Sequence, residues 1–433
     1  MLRAFVNAFK VPDLRNKILF TLFIIAVYRL GSYVPVPVVD ISLLQSQLEQ
    51  EGLTGFLTFI DLFSGGALTN VAVFGLGIMP YITASIIMQL LSVVIPKLEQ
   101  WRKEGEQGAK KVNQWTRYVT VALALLQSTG LAFLFHSGSP QLGGVDIFPT
   151  GEFTAPNVAL IVLILTAGTA MIMWMGELIT QRGIGNGMSI LIFASVISSI
   201  PTQGRSIYVT AGPGKFATIV VIGLAIIVAV IFVEQGQRRI PVQYAKRVVG
   251  RRMTSGGSTY IPLKVNQSGV IPIIFASSLL YFPTLLASVY HAEWFQNFVN
   301  NYVTNQRSVV YMAIYGLLVI FFAYFYTAIA FNPVDTADNL RKYGGFVPGI
   351  RPGPPTSEYL SFVMTRITLP GSIFLALIAL LPAIFIAYFL PSQALQQLPF
   401  GGTSLLITVG VALETMKQLE SQLLMRHYEG FLR

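Results

Sequence analysis

Cysteine is absent from the 433 residues, which excludes disulfides, thiolate zinc sites and thiol nucleophiles. Charge is scarce too: Asp, Glu, Lys and Arg make up 11% of the chain, against 53% hydrophobic residues and a mean hydropathy of +0.64. A water-soluble domain cannot hide that much apolar surface, so the bilayer is the expected solvent. The three histidines, His136, His291 and His427, stand at or beyond the ends of apolar runs. Midplane ion or proton relays need buried carboxylates or histidines, so ordinary ion-coupled transport is poorly supported. Neither His-Glu-x-x-His nor Gly-x-Ser-x-Gly occurs, and Gly214-Lys215 lacks the upstream Gly and the following Ser/Thr of a phosphate loop. No catalytic residue, metal ligand or cofactor is expected, and any ATP-driven work must come from a partner.

What the chain does have is apolar runs, at about 17–36, 72–95, 116–136, 157–177, 187–200, 216–234, 269–290, 308–331, 368–390 and 402–420. A spanning helix needs about 20 mostly apolar residues, so these are read as ten spans. The first run, Ile18 to Tyr33, follows a basic start without a small-residue cleavage pattern and is expected to be retained. With the N-terminus in the cytoplasm, 25 of the 29 Lys and Arg residues fall inside, leaving Arg205, Lys215 and Arg307 outside and Arg29 within the first run. That bias places both chain ends in the cytoplasm.

Two patterns recur. Gly77-Ile78-Met79-Pro80-Tyr81-Ile82-Thr83-Ala84-Ser85 in segment two matches Gly269-Val270-Ile271-Pro272-Ile273-Ile274-Phe275-Ala276-Ser277 in segment seven. Gly187-Met188-Ser189-Ile190-Leu191-Ile192 in segment five resembles Gly402-Thr403-Ser404-Leu405-Leu406-Ile407 in segment ten. Each match joins segment n to segment n+5, and because five is odd the partners run in opposite directions, as in an inverted repeat. Chance similarity between Gly- and Ile-rich helices is the competing reading of either match alone. Pro80 and Pro272 sit at equivalent places, where each removes a backbone donor and discourages a straight helix through that point.

Residues 54–70 form an apolar stretch broken by Asp61 and Gly65-Gly66, too short to span. They are either a re-entrant half-helix inside a central cavity or an amphipathic helix on the outer surface. Arg29, Glu177, Glu234 and Glu414 are the charges in or beside the runs, most of them expected near an interface where they reach water. The loop after segment six carries Arg238, Arg239, Lys246, Arg247, Arg251 and Arg252, interleaved with Ile240, Val242 and Tyr244, and its alternation around Ser255-Gly256-Gly257-Ser258 suggests a β-hairpin. The loop from Asn332 to Met364 adds Arg341, Lys342 and Arg351. Long loops of this kind are commonly binding loops, although attraction to anionic lipid would account for the charge alone.

Four stretches together resemble the bacterial SecY family: Gly-Ile-Met-Pro-Tyr-Ile at 77–82, Arg-Gly-Ile-Gly-Asn-Gly at 182–187, Gln-Arg-Arg-Ile-Pro-Val-Gln-Tyr-Ala-Lys-Arg at 237–247 and Phe-Val-Pro-Gly-Ile-Arg-Pro-Gly at 346–353. The resemblance implies an all-α membrane protein of ten transmembrane helices in two inverted five-helix halves, residues 1–200 and 201–433, hinged between segments five and six. It implies a lateral gate between segments two and three on one side and seven and eight on the other. Residues 54–70 then correspond to a short re-entrant plug helix that includes Phe59, Asp61, Ser64, Gly65 and Gly66. The pore ring falls on Ile82, Ile86, Met188, Ile192, Ile274 and Ile407, with Met188 standing where isoleucine is usual. The cytoplasmic loops at about 235–268 and 332–366, with the tail 421–433 beside them, become a docking face for the SecA ATPase and the ribosome. SecE and SecG are the implied membrane subunits, with secretory preproteins and signal peptides as substrates and anionic lipids as surroundings. The expected function is a non-enzymatic protein-conducting channel of the bacterial plasma membrane that releases transmembrane segments sideways into lipid. An inverted-repeat secondary transporter of a small solute is the rival, which polar or acidic residues at the midplane of the broken helices would support.

Overall fold

The computed structural model describes residues 9, 11–37, 39, 61, 63–136, 153–244, 247–249, 252–254, 258–289, 292–304, 308–389 and 402–431. The chain is mostly helical. In order come α1 (Pro12–Gly31), α2 (Met79–Val94), α3 (Pro96–Lys103), α4 (Glu106–His136), α5 (Ala155–Arg182) and α6 (Gly187–Gln235), then β1 (Gln237–Tyr244), β2 (Arg247–Val249), β3 (Arg252–Thr254) and β4 (Ser258–Lys264). There follow α7 (Ile271–Val289), α8 (Glu293–Phe298), a π-helical turn over Val299–Thr304, α9 (Val309–Ala330), α10 (Pro333–Lys342), β5 (Gly345–Phe346), α11 (Pro354–Phe389) and α12 (Gly402–Phe431).

Among the described residues four stretches are long and apolar enough to cross a membrane: Ala155–Arg182, Gly212–Gln235, Val309–Lys342 and Pro354–Leu381. Shorter apolar helices cover Met79–Val94, Gly187–Pro201 and Ile271–Leu280. A helix suits lipid because all its backbone groups bond within the segment. Buried hydroxyls follow the same logic and return to the preceding turn, as Thr83 does to the Met79 carbonyl, Thr169 to Leu165 and Thr327 to Ala323.

Several boundaries differ from the apolar runs, each for a local reason. Residues 72–78 are turns, and α2 starts at Met79, so the run of 72–95 is only partly helix. Pro80 and Pro272 lie in the first turns of α2 and α7, where the missing N–H has no intrahelical partner to lose, so neither breaks a helix as the sequence suggests. Runs five and six lie on one helical stretch, α6, interrupted at Gly212 (φ 81°, ψ 167°) beside Pro213. Helix α11 begins at Pro354, so the Pro/Gly-rich loop of 332–366 ends earlier than the sequence implies.

Packing divides the helices unequally. Helices α2, α4 and α5 pack in series, α9 packs broadly on both α7 and α11, and a broad seam joins α6 to α12. Helix α7 meets α2 and α4 only sparsely. The α6 to α12 seam is therefore much broader than the seams that join α7 to α2 and α4. Beyond the end of α6, β1 pairs antiparallel with β4 (Ile240 opposite Ile261) and with β5 (Gln243 opposite Phe346). That three-stranded sheet rests on α11 through Ile240, Leu263, Val347, Leu360, Val363 and Met364, which ties the two long loops into one body.

Candidate functional site

A single apolar cluster fills the centre of the bundle. Ile86 of α2, Met188 and Ile192 of α6, Ile274 of α7 and Ile407 of α12 are all buried members, 1–9% exposed, and half-buried Ile82 packs against the cluster. All six residues assigned to the pore ring thus belong to or border one extended cluster, drawn from four helices. A short interhelical approach helps set them. The side chain of Asn186 caps α6 by accepting from the N–H groups of Met188 (3.1 Å) and Ser189 (3.4 Å). A Cβ on Gly187 would lie 1.9 Å from the Gly176 carbonyl oxygen, and one on Gly176 would lie 2.0 Å from the Met188 sulfur. The Gly-rich 182–187 motif therefore lets α6 start directly against α5 with Met188 turned inward.

Residues 61–78 lie across this cluster, and Phe63 and Ala67, both 0% exposed, are members of it. Asp61 organises the turn: its carboxylate accepts from Thr69 N–H at 3.1 Å and its carbonyl from Gly66 N–H at 3.0 Å. Burial pushes its carboxyl up to about 6, against the lowering by Thr69. Ser64 Oγ donates to the Asp61 carbonyl and accepts from Leu68 N–H. Gly65 and Gly66 both have positive φ, 69° and 86°, which a side chain would resist. Phe59 and the rest of 54–60 lie outside the described residues. The segment is held from two directions: Arg29 Nη1 of α1 donates to the Gly65 carbonyl at 2.6 Å, and Tyr28 donates to the Ser64 carbonyl at 3.1 Å.

Several charges near the spans have partners within the protein, while Glu414 is exposed. Arg117 of α4 forms a two-pronged pair with Glu177 of α5, and Asn266 donates to Glu234 at 2.6 Å. Arg29 bonds the 61–78 segment. Pairing inside the protein lowers the cost of holding a charge close to lipid, so partners matter more than distance to the interface. The structure also brings in Tyr28, Ser195 and Phe63, which the sequence reading did not single out. The charge at Arg29 inside an apolar run was the available signal for the first two.

Arg238 and Arg239 on β1, Arg341 on α10 and Arg351 before α11 are exposed on the sheet-bearing edge. The Arg239 guanidinium lies 4.8 Å from the Tyr260 ring centre. Thr356 Oγ1 donates to the Arg351 carbonyl at 2.8 Å, which fixes the backbone that presents Arg351. Lys246 and Arg251 lie outside the described residues, and Arg247 and Arg252 are described by their strands alone. Among the described residues the arrangement offers no cluster of groups that could hold a metal ion; it offers an apolar cluster, a turn segment that contributes to it and a basic edge. A cavity of about 570 Å³ between α6, α11 and α12, lined mainly by apolar residues such as Ile200, Phe216, Leu224, Leu381 and Leu405, has little to recognise a polar solute.

A family model described as SecY matches residues 72–416. The chain is 53% identical over 444 residues to the protein translocase subunit SecY of Streptomyces galbus and 51% identical over 443 residues to that of Mycobacterium tuberculosis, covering 100% of both chains in each case. A solved structure described as a protein conducting channel matches with a TM-score of 0.61 at 16% identity, covering 96% of each chain. Canine Sec61, solved in a ribosome-channel complex from the endoplasmic reticulum, matches with a TM-score of 0.57 at 17% identity, again covering 96% of each chain.

Proposed function

The chain belongs to the SecY family, a multi-pass channel subunit of a protein translocase rather than an enzyme, and from that premise we propose how its parts divide the work. Ile82, Ile86, Met188, Ile192, Ile274 and Ile407 form a collar through which an unfolded polypeptide passes. Residues 54–70 are the plug that rests in the collar between substrates. The single observation that carries this reading is the shared central cluster of ring positions with Phe63 and Ala67. Apolar side chains offer a passing chain no hydrogen bonds, and an empty apolar constriction dewets, so substrate affinity and ion leak both stay low.

Ten spans in two inverted halves, 1–200 and 201–433, hinge at the break around Gly212. The lightly joined seam of α7 against α2 and α4 is the lateral gate, and the broad α6 to α12 seam is supported as the closed side of the hinge. A substrate segment leaves sideways when its transfer to lipid is favourable, with a central Leu or Ile contributing about −0.5 kcal/mol and a charge costing about +3 kcal/mol. Both chain ends and the basic edge face the cytoplasm of a bacterial cell. Arg238, Arg239, Arg341 and Arg351, with Lys246, Arg247, Arg251 and Arg252 of the same loops, dock the SecA ATPase and the ribosome, and SecE and SecG complete the membrane complex. Anionic lipids bathe the basic edge. The ribosome-channel complex of canine Sec61 supports a ribosome as a partner.

Proteoliposomes containing the chain with its small subunits and the ATPase test this division. ATP-dependent protection of a secretory preprotein from protease is expected, and Arg351→Glu lowers it about tenfold at low salt, since several charge-assisted contacts act together. The variant inserts in normal amount. Equal loss of insertion and export would remove the docking role, and uptake of a small solute without any polypeptide transport would favour the transporter instead.

A further inference from the structure

We propose that Tyr28 and Ser195 form a two-position hydroxyl latch that holds the plug and also lets it go without stranding a buried donor. The proposal rests on reading residues 54–70 as the plug. Tyr28 on α1, Ser195 on α6 and Ser64 of the plug are each 0–1% exposed, although they come from distant parts of the chain. The Tyr28 hydroxyl lies 3.1 Å from the Ser64 carbonyl oxygen and 2.7 Å from Ser195 Oγ. Ser195 Oγ in turn lies 2.9 Å from the Leu191 carbonyl oxygen of its own helix.

Three contacts share two protons, because each hydroxyl carries one. With the plug seated, Tyr28 donates to the Ser64 carbonyl and accepts from Ser195. With the plug withdrawn, Tyr28 donates to Ser195, whose own proton turns to Leu191. Both arrangements satisfy both hydroxyl donors, whereas a lone tyrosine losing its plug acceptor in a dry site would be left unpaired. The Tyr28 ring keeps the hydroxyl in place by stacking on Phe74, with centroids 5.8 Å apart and planes 11° apart. Arg29 supplies a second, charged hold through Gly65, and it is itself steadied by Tyr33, whose hydroxyl accepts from Nη2 at 3.1 Å. The seat is close: a Cβ on Gly65 would lie 2.8 Å from Arg29 Nη1 and 3.1 Å from Ser195 Cα.

The two positioning residues should act with opposite sign. Tyr28→Phe removes the donor that grips the plug, so resting ion conductance in planar bilayers rises roughly two- to tenfold, the range of one net hydrogen bond. Ser195→Ala removes the alternative acceptor, so opening strands the tyrosine proton and preprotein-triggered opening falls by a similar factor. Ser195→Thr keeps a hydroxyl and restores opening. A merely structural role would make both Tyr28→Phe and Ser195→Ala leak. In a chain lacking residues 54–70, neither substitution should alter conductance further. If both substitutions shift conductance in the same direction, or neither does, while the deletion itself leaks, the latch is wrong and the plug reading stands. If the deletion conducts no more than the intact chain, the plug reading fails.

Discussion

Replacing Ile274 by Asn opens the resting channel: its ion conductance in planar bilayers rises at least about fivefold over the unsubstituted chain. Ile274 is 6% exposed and belongs to the same buried apolar cluster as Ile86, Met188, Ile192 and Ile407. An amide placed there has donors and acceptors with no partner while the collar is closed, which costs roughly 1–3 kcal/mol, and each 1.4 kcal/mol is tenfold in population. Water entering to satisfy the amide would also undo dewetting. Ile274→Leu is the matched control. It keeps volume and polarity, costs less than about 1.5 kcal/mol and leaves the channel sealed. An Asn variant as tight as the original would mean that Ile274 does not face the pathway.

Gly77→Val should unseat the plug and raise both resting conductance and export of preproteins with defective signal peptides. Gly77 has φ 57°, and a Cβ there would lie 2.9 Å from Ser64 Cα and 3.1 Å from the Phe63 carbonyl oxygen. Both neighbours are backbone, so no side chain can swing aside. A β-branched residue at positive φ adds strain of about 1–3 kcal/mol, and the plug is the part free to yield. Gly105 separates strain from contact: its φ is 70° but nothing lies within 4 Å of its Cβ position. Gly105→Val should therefore lose some stability and stay closed. Leak from both variants alike would point to general destabilisation rather than loss of the plug's seat.

The order of the helices was legible because transfer into lipid acts on windows of about 20 residues, which hydropathy reads directly. Their ends were not. The run at 116–136 is the apolar part of a helix that starts at Glu106, and the run at 368–390 belongs to one that starts at Pro354, since backbone hydrogen bonding continues past the bilayer edge. Residues 72–78 are as apolar as a span but fold as turns, with Gly77 in the left-handed region. Ile82 with Ile274, and Ile192 with Ile407, were paired by the internal repeat alone, and the fold gathers all four in one cluster. The hydroxyl contacts of Tyr28 could not be read in advance, because they join positions 36 and 167 residues apart and leave no periodic trace. The pairing of β1 with β5, which unites the two basic loops, was hidden for a similar reason: a two-residue strand has no alternation to detect.

A polypeptide that threads the apolar collar must pass within reach of position 274. The absence of cysteine permits a direct measurement with the single variant Ile274→Cys and a secretory preprotein arrested part-way by a folded tail. Efficient crosslinking from position 274 to the arrested chain, and none before the preprotein engages, is the predicted result. Crosslinking from a single cysteine at Leu317, which is 68% exposed on the outer face of α9, with none from position 274, would contradict it.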